Sequence, residues 1–219
     1  MVKTAASLLA CDLSSISSEL DRCRRAGTDW IHFDVMDGVF VDQISYGSPV
    51  LKCIRGATKL PVDVHLMVED PTHQIALFAE AGADIIDIHV ESYCDTAAVL
   101  GDIRRRGKKP ALAVRPSTPI EAVYPFLKLC DMVLVMTVEP GYGGQHLIPR
   151  TLEKIAALRK AADGMGLTEL DIEVDGGINT ETASMVKQAG ANVLVAGTAL
   201  FNAPDMGAAD KQLKSAVSS

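Results

Sequence analysis

Ala26-Gly27-Thr28-Asp29-Trp30-Ile31-His32-Phe33-Asp34-Val35-Met36-Asp37-Gly38 carries the two signals from which the rest of the chain can be read. From Trp30 onward it alternates. Side chains alternate across a strand, so His32, Asp34 and Met36 share one face while Ile31, Phe33 and Val35 share the other. The pattern returns at residues 61–67, where Asp63, His65 and Met67 oppose Val62, Val64 and Leu66. It returns again at 171–175, where Asp171, Glu173 and Asp175 oppose Ile172 and Val174. Three strands thus bring His or carboxylate to their last alternating positions, each running into a turn. The opening of the stretch, Ala26-Gly27-Thr28-Asp29, recurs as Ala81-Gly82-Ala83-Asp84 and Ala189-Gly190-Ala191-Asn192. Each reads as a helix that ends on a C′ glycine and turns into a strand. The first two glycines lie 55 residues apart and the last two 108, close to two and four times a unit of about 27, the size of one strand plus one helix.

Eight such units fill the 219 residues. They predict strands at 4–9, 30–36, 61–67, 84–90, 110–114, 131–136, 170–175 and 192–197. Helices follow at 15–26, 48–57, 71–81, 95–106, 118–128, 149–163, 180–189 and 205–217. Helix starts are marked by Ser14, Asp70-Pro71, Asp95, Ser117-Thr118-Pro119 and Asn179-Thr180, which are capping residues or early prolines. The leading architecture is a single-domain (β/α)8 barrel spanning 1–219, ahead of a doubly wound open sheet. A barrel would gather the polar strand ends from all round its ring onto one C-terminal face.

Composition sets the outer limits. With 48% hydrophobic and 22% charged residues the chain can bury a sizeable core. A net charge of −7 speaks against a nucleic-acid partner, which would call for a basic stripe. An anionic small molecule stays open, because backbone amides can hold it whatever the net charge. Five cysteines without a CxxC pair predict reduced thiols rather than a disulfide framework. The opening Met-Val-Lys-Thr leads into a strand with neither a signal segment nor an Arg-rich transit peptide. No apolar run nears the about 20 residues that span a bilayer. The expectation is a soluble cytoplasmic protein with no membrane partner.

Three constellations carry chemistry. His32, Asp34, His65 and Asp175 offer two imidazoles and two carboxylates, a donor set suited to one divalent ion such as Zn2+, Fe2+, Mn2+ or Co2+. Asp63, Asp87, His89 and Glu173 share the same face and are placed to orient those ligands. Glu139-Pro140-Gly141-Tyr142-Gly143-Gly144-Gln145, Asp175-Gly176-Gly177-Ile178-Asn179 and Gly197-Thr198 each follow a strand. Their glycines leave amides open to an anion, and the loops after strands 7 and 8 are the usual phosphate position in such barrels. Met36, Met67 and Met136 end their strands; they read either as core filler or as an apolar cap over reacting atoms.

His32-Phe-Asp-Val-Met-Asp-Gly38, Asp63-Val-His-Leu-Met-Val68, Met136-Thr-Val-Glu-Pro-Gly-Tyr-Gly-Gly-Gln145, Glu173-Val-Asp-Gly-Gly-Ile178 and Val195-Ala-Gly-Thr-Ala-Leu-Phe201 resemble, in order, the motifs of the ribulose-phosphate 3-epimerase family. The opening Ala6-Ser-Leu-Leu-Ala-Cys-Asp12 matches too, so the likeness covers nearly the whole chain. The resemblance implies a (β/α)8 barrel that interconverts D-ribulose 5-phosphate and D-xylulose 5-phosphate in the pentose phosphate pathway. It implies that His32, Asp34, His65 and Asp175 hold the metal and that Asp34 and Asp175 are the acid–base pair. Ser7, His65 and Asp175 would bind substrate, with Gly141, Tyr142, Gly143, Gly144, Gly176, Gly177, Gly197 and Thr198 at the phosphate end. Relatives form dimers or hexamers, so a homo-oligomer is expected.

The chain departs from the family pattern at Asp42-Gln43-Ile44-Ser45, where relatives read Pro-Asn-Ile-Thr, and at Arg115-Pro116-Ser117, where they read Asn-Pro-Gly. Thr198 replaces a serine and keeps the hydroxyl. None of these touches the acid–base or metal set; those near Asp42, Gln43 and Arg115 bear on substrate identity. A related 3-epimerase of a hexulose phosphate such as D-allulose 6-phosphate is the first alternative, and a phosphosugar-binding barrel without turnover is another. A lyase or decarboxylase would want a lysine as in Asp-x-Lys-x-x-Asp, where this chain has Asp34-Val35-Met36-Asp37.

Overall fold

The computed structural model describes residues 2–216. Its strands are β1 (Lys3–Ser7), β2 (Trp30–Met36), β3 (Val62–Met67), β4 (Ile85–His89), β5 (Lys109–Val114), β6 (Met132–Met136), β7 (Asp171–Asp175) and β8 (Val193–Ala196). They close in chain order into a parallel barrel, with β8 returning to β1. The α-helices are α1 (Ile16–Ala26), α2 (Ser48–Ala57), α3 (Gln74–Ala81), α4 (Thr96–Arg105), α5 (Thr151–Gly164), α6 (Thr180–Ala189), α7 (Thr198–Phe201) and α8 (Met206–Ser215). This is the expected (β/α)8 barrel.

Two buried regions follow from the alternation. Outward residues such as Ile31, Phe33, Val64, Ile86, Val133 and Ile172 pack under the helices in the main core. Inward residues stack in layers supplied by alternate strands. The strand registers put Trp30, Ile85, Met132 and Val193 at the floor, then Ala5, Asp63, Ala111 and Glu173. His32, Asp87, Leu134 and Val195 come next, then Ser7, His65, Ala113 and Asp175. The floor is apolar, while the polar residues meet in the layers above it, opposite alanines that leave them room.

The recurring Ala-Gly-x-Asp/Asn unit has a physical purpose. Gly27, Gly82 and Gly190 sit at φ 88°, 109° and 114° and close their helices as read from sequence. The following Asp or Asn then grips the preceding odd-numbered strand with two bonds. Asp29 N–H donates to the Thr4 carbonyl and its carboxylate accepts from Thr4 N–H. Asp84 does the same with Val62, and Asn192 with Ile172. At the fourth such place Asp131 N–H donates to the carbonyl of Pro110. Proline has no N–H to return, and the Asp131 carboxylate pairs with Arg104 instead.

Several boundaries differ from expectation. The first strand ends at Ser7 rather than residue 9, because Leu8–Ala10 turn as a 3-10 segment that folds over the barrel mouth. The helix expected at 118–128 is a 3-10 helix over Ile120–Leu129; Pro125 inside it removes an N–H that an α-helix would use. The helix expected from 71 starts at Gln74, after a turn in which Gln74 N–H donates to the Pro71 carbonyl. Ser14 lies within a 3-10 turn capped by Asp12, and Ser15 is the residue before α1. Asp95 and Asn179 do cap their helices, the latter in a reciprocal capping box with Thr182. Helix α7 was not expected. The last helix ends at Ser215, and residue 217 of the expected 205–217 lies outside the described residues.

Candidate active site

The C-terminal strand ends surround a cavity of about 690 Å³. Ser7, Asp34, Met36, Met67, Met136, Gly141, Tyr142, Gly143, Gly144, Asp175, Gly176, Gly177, Gly197 and Thr198 all line it. His32 and His65 lie directly beneath, with no exposed surface.

Asp34 is the hub. Ser7 Oγ donates to its Oδ2 at 2.7 Å, while Oδ1 faces His32 Nε2 and His65 Nδ1, both at 3.2 Å. Burial alone would raise the Asp34 pKa, but the two imidazoles outweigh it and hold the carboxyl well below the usual range. Asp175, across the mouth, goes the other way. Burial, and then the negative charge of Asp34, push it up to about 6 against the pull of His32 and His65. Two carboxyls on strands β2 and β7 are thereby driven apart, one ionised and one ready to keep a proton.

His32 is aimed by what lies below it. Its Nδ1 is 2.7 Å from Asp63 Oδ2 and donates to that carboxylate. Burial disfavours its charge, yet Asp34 and Asp63 together raise its pKa well above the ordinary value. Asp87, level with His32, and Glu173, one layer below, are fully buried, and burial followed by the charge of Asp63 raises both well above the usual carboxyl range. Of the four residues expected to orient the candidate ligands, Asp63 bonds His32 and His89 bonds His65, whereas neither Asp87 nor Glu173 hydrogen-bonds a member of the set.

The metal expectation can be tested on this geometry. His32 Nε2 is buried without a hydrogen-bond partner and points between Asp34, at 3.2 Å, and Asp175 Oδ2, at 4.0 Å. One donor atom each from His32, Asp34, His65 and Asp175 lie within 4.8 Å of one another. Two nitrogens and two carboxylate oxygens converging round an orphaned imidazole nitrogen could hold a borderline divalent cation. The residues fit.

The glycine loops are shaped by close approach. A Cβ on Gly177, at φ +66°, would lie 2.3 Å from the Leu147 backbone nitrogen, and one on Gly176 would strike Val138. Only glycine lets the loop after β7 pack against the loop after β6. Thr137 Oγ1 donates to the Gly176 carbonyl and Thr182 Oγ1 to that of Gly177, tying both turns down. The methionines sit at the mouth, at most 4% exposed. Met36 and Met67 pack with Val41, and Met136 with Ala113, Leu134 and Val138.

Sequence reasoning missed several participants. Ser45 accepts from Met36 N–H and donates to the Asp34 carbonyl, pinning the end of β2. Asp37 accepts from Val39, Phe40 and Glu69 N–H groups and joins two mouth loops. Glu91 accepts from His89 and from Arg115 N–H; reading the alternation of β4 two residues further would have found it. Arg115, flagged for substrate identity, does not line the cavity but lies over the Phe40 ring at 3.9 Å. Gln43 lies in an adjoining depression with Ile44 and Tyr142.

The model of the ribulose-phosphate 3-epimerase family matches residues 3–201. The chain belongs to that family. It is 42% identical to the ribulose-phosphate 3-epimerase of Bacillus subtilis (strain 168) over 94% of each chain. It is 40% identical to the ribulose-phosphate 3-epimerase, cytoplasmic isoform, of Oryza sativa subsp. japonica, covering 98% of this epimerase-family chain and 94% of the rice protein. Among solved structures, a 3-hexulose-6-phosphate synthase superposes with a TM-score of 0.70 at 21% identity, over 99% of this chain and all of that one, a likeness of fold. No helix among the described residues is long and apolar enough to cross a membrane.

Proposed function

We propose that this chain is a metal-dependent epimerase that interconverts D-ribulose 5-phosphate and D-xylulose 5-phosphate at C3 in the pentose phosphate pathway. The observation that carries the reading is the meeting of Asp34 and Asp175 at one cavity, the first pKa held low and the second raised, inside a four-residue set able to hold a cation. Each barrel carries a whole site within a homo-oligomer, a dimer or hexamer, in the cytoplasm, as the rice relative's name suggests for that protein.

Epimerisation breaks the C3–H bond on one face of the sugar and forms a new one on the other. Ionised Asp34 takes the proton, and the electron pair left behind shifts through C2 onto the ketone oxygen as an ene-diolate. The ketone re-forms as C3 takes the proton of the Asp175 carboxyl from the opposite face. Turnover leaves Asp34 protonated and Asp175 ionised, which is the arrangement that runs the reverse reaction. When bound by His32, Asp34, His65 and Asp175, a divalent ion, Zn2+ first among Zn2+, Fe2+, Mn2+ and Co2+, supplies positive charge that stabilises the anion. Ser7 holds Asp34 in its rotamer through the 2.7 Å bond and lines the cavity beside the substrate. Met36, Met67 and Met136 keep water from the anion. Amides of Gly141–Gly144, Gly176, Gly177 and Gly197, with the Thr198 hydroxyl, take the phosphate.

The test is a coupled assay for xylulose 5-phosphate on protein stripped with chelator and refilled with each metal, with allulose 6-phosphate run alongside. Fast pentulose turnover that disappears on stripping and returns on refilling is expected. Preference for the hexulose, or turnover indifferent to metal, would overturn the substrate or the metal part of the proposal.

A further inference from the structure

His65, His89 and the partly exposed Glu91 form a line along which hydrogens can be assigned from one end as far as His65 Nε2. Glu91 Oε1 accepts from Arg115 N–H at 2.9 Å, and Oε2 lies 3.0 Å from His89 Nδ1. A carboxylate only accepts, so His89 carries its hydrogen on Nδ1 and a neutral ring leaves Nε2 bare. His89 Nε2 lies 2.8 Å from His65 Nε2, a distance that requires one hydrogen between them. With His89 bare there, the hydrogen belongs to His65 Nε2. The remaining nitrogen of His65, Nδ1, is the one that faces Asp34 at 3.2 Å. Both imidazoles are fully buried, so bulk solvent does not compete for their nitrogens. The Phe40 ring, 4.7 Å from that of His89 and covered by Arg115, closes the line from above.

We propose that His89 and Glu91 are positioning residues for His65, holding a hydrogen on its Nε2 so that Nδ1 is the nitrogen left to take the metal, which displaces any hydrogen Nδ1 shares with Asp34 in the metal-free protein. The inference rests on the metal reading of the preceding section but makes a claim about the protein without metal as well. A ligand histidine that must first move its hydrogen binds more weakly, and loss of such an outer partner typically costs about 10–100-fold in metal affinity.

Glu91→Gln is the decisive variant because it keeps size and shape. Arg115 N–H still demands an acceptor, so the amide oxygen turns to Arg115 and its NH2 to His89. The line then reverses: His89 donates from Nε2, and His65 must carry its hydrogen on Nδ1. Ring 15N NMR of metal-free and Zn2+-loaded parent protein should show His65 protonated at Nε2 and His89 at Nδ1, with a scalar coupling between the two Nε2 atoms. Glu91→Gln should exchange both assignments in the metal-free protein and weaken Zn2+ by about 10–100-fold in chelator competition. His89→Gln, whose amide can accept from His65 and donate to Glu91, should hold parent-like affinity, whereas His89→Leu should lose it. Parent His65 bare at Nε2, or Glu91→Gln binding Zn2+ as tightly as the parent, would overturn the proposal. Should the parent fail to bind Zn2+ at this site, the metal reading falls, while the metal-free tautomers still decide the positioning claim.

Discussion

Asp34 and Asp175 are the same side chain with pKa values moved in opposite directions, and the difference comes from neighbours. Asp34 has two imidazoles at 3.2 Å, while the nearest imidazole nitrogen to Asp175 is at 4.0 Å and it also feels Asp34. Replacing either by Asn keeps shape and removes proton transfer, so kcat should fall by at least 10²–10⁴-fold, with the circular dichroism of a folded barrel retained; near-normal turnover would contradict the two-carboxylate mechanism. The raised Asp175 pKa also predicts a sign for stability. In the metal-free protein, between about pH 4 and 6, the folded state holds the Asp175 proton longer than the unfolded chain does, so this contribution to stability falls as pH rises. The side chain is 21% exposed, which makes about 3 kcal/mol an upper limit. Urea unfolding of parent and Asp175→Asn across that window should show the parent losing stability with pH relative to the variant. In Asp34→Asn the Asp175 midpoint, read by NMR, should move down from about 6.

At the scale of elements, glycines in turns separate strain from contact. Gly27→Ala meets open space, so only the positive φ should cost stability, about 1–2 kcal/mol, with KM unchanged. Gly177→Ala adds a collision with the Leu147 backbone, so it should cost about 1–3 kcal/mol or more and raise KM well above its effect on kcat. Steady-state kinetics and urea melts on both variants check the contrast. What the sequence disclosed follows the same division. Strand alternation at His32, Asp34, His65 and Asp175 was visible because the pleat repeats every two residues, and the Ala-Gly-x-Asp unit because helix ends need a left-handed glycine. The 3-10 character of Ile120–Leu129 was not, since its hydrophobic spacing also suits an α-helix and only Pro125 argues otherwise. The His65–His89 contact was hidden because it joins two strand–helix units, and the Ser45 hook because it folds back onto β2 from an irregular loop that carries no periodic signal.

For the molecule as a whole, the cation set couples ligand binding to folding. Zn2+ at 100 times its dissociation constant should add about 2.7 kcal/mol, which for a chain of this size is a Tm rise of about 5–10 °C; chelator should reverse it, and Asp34→Asn should abolish it. The paired grips of Asp29, Asp84 and Asn192 have a different consequence. They span only 25, 22 and 20 residues, so three strand–helix–strand pieces can knit themselves early at little loop-closure cost. The join between β1 and β8, reinforced by Lys3 on Asp171 at a separation of 168 residues, has no such local help. That seam should be the last part of the ring to form and the first to open. Native-state hydrogen exchange should find the amides along the β1–β8 ladder less protected than those along β3–β4, leaving an open, eight-strand arc as the lowest-lying excursion from the closed barrel.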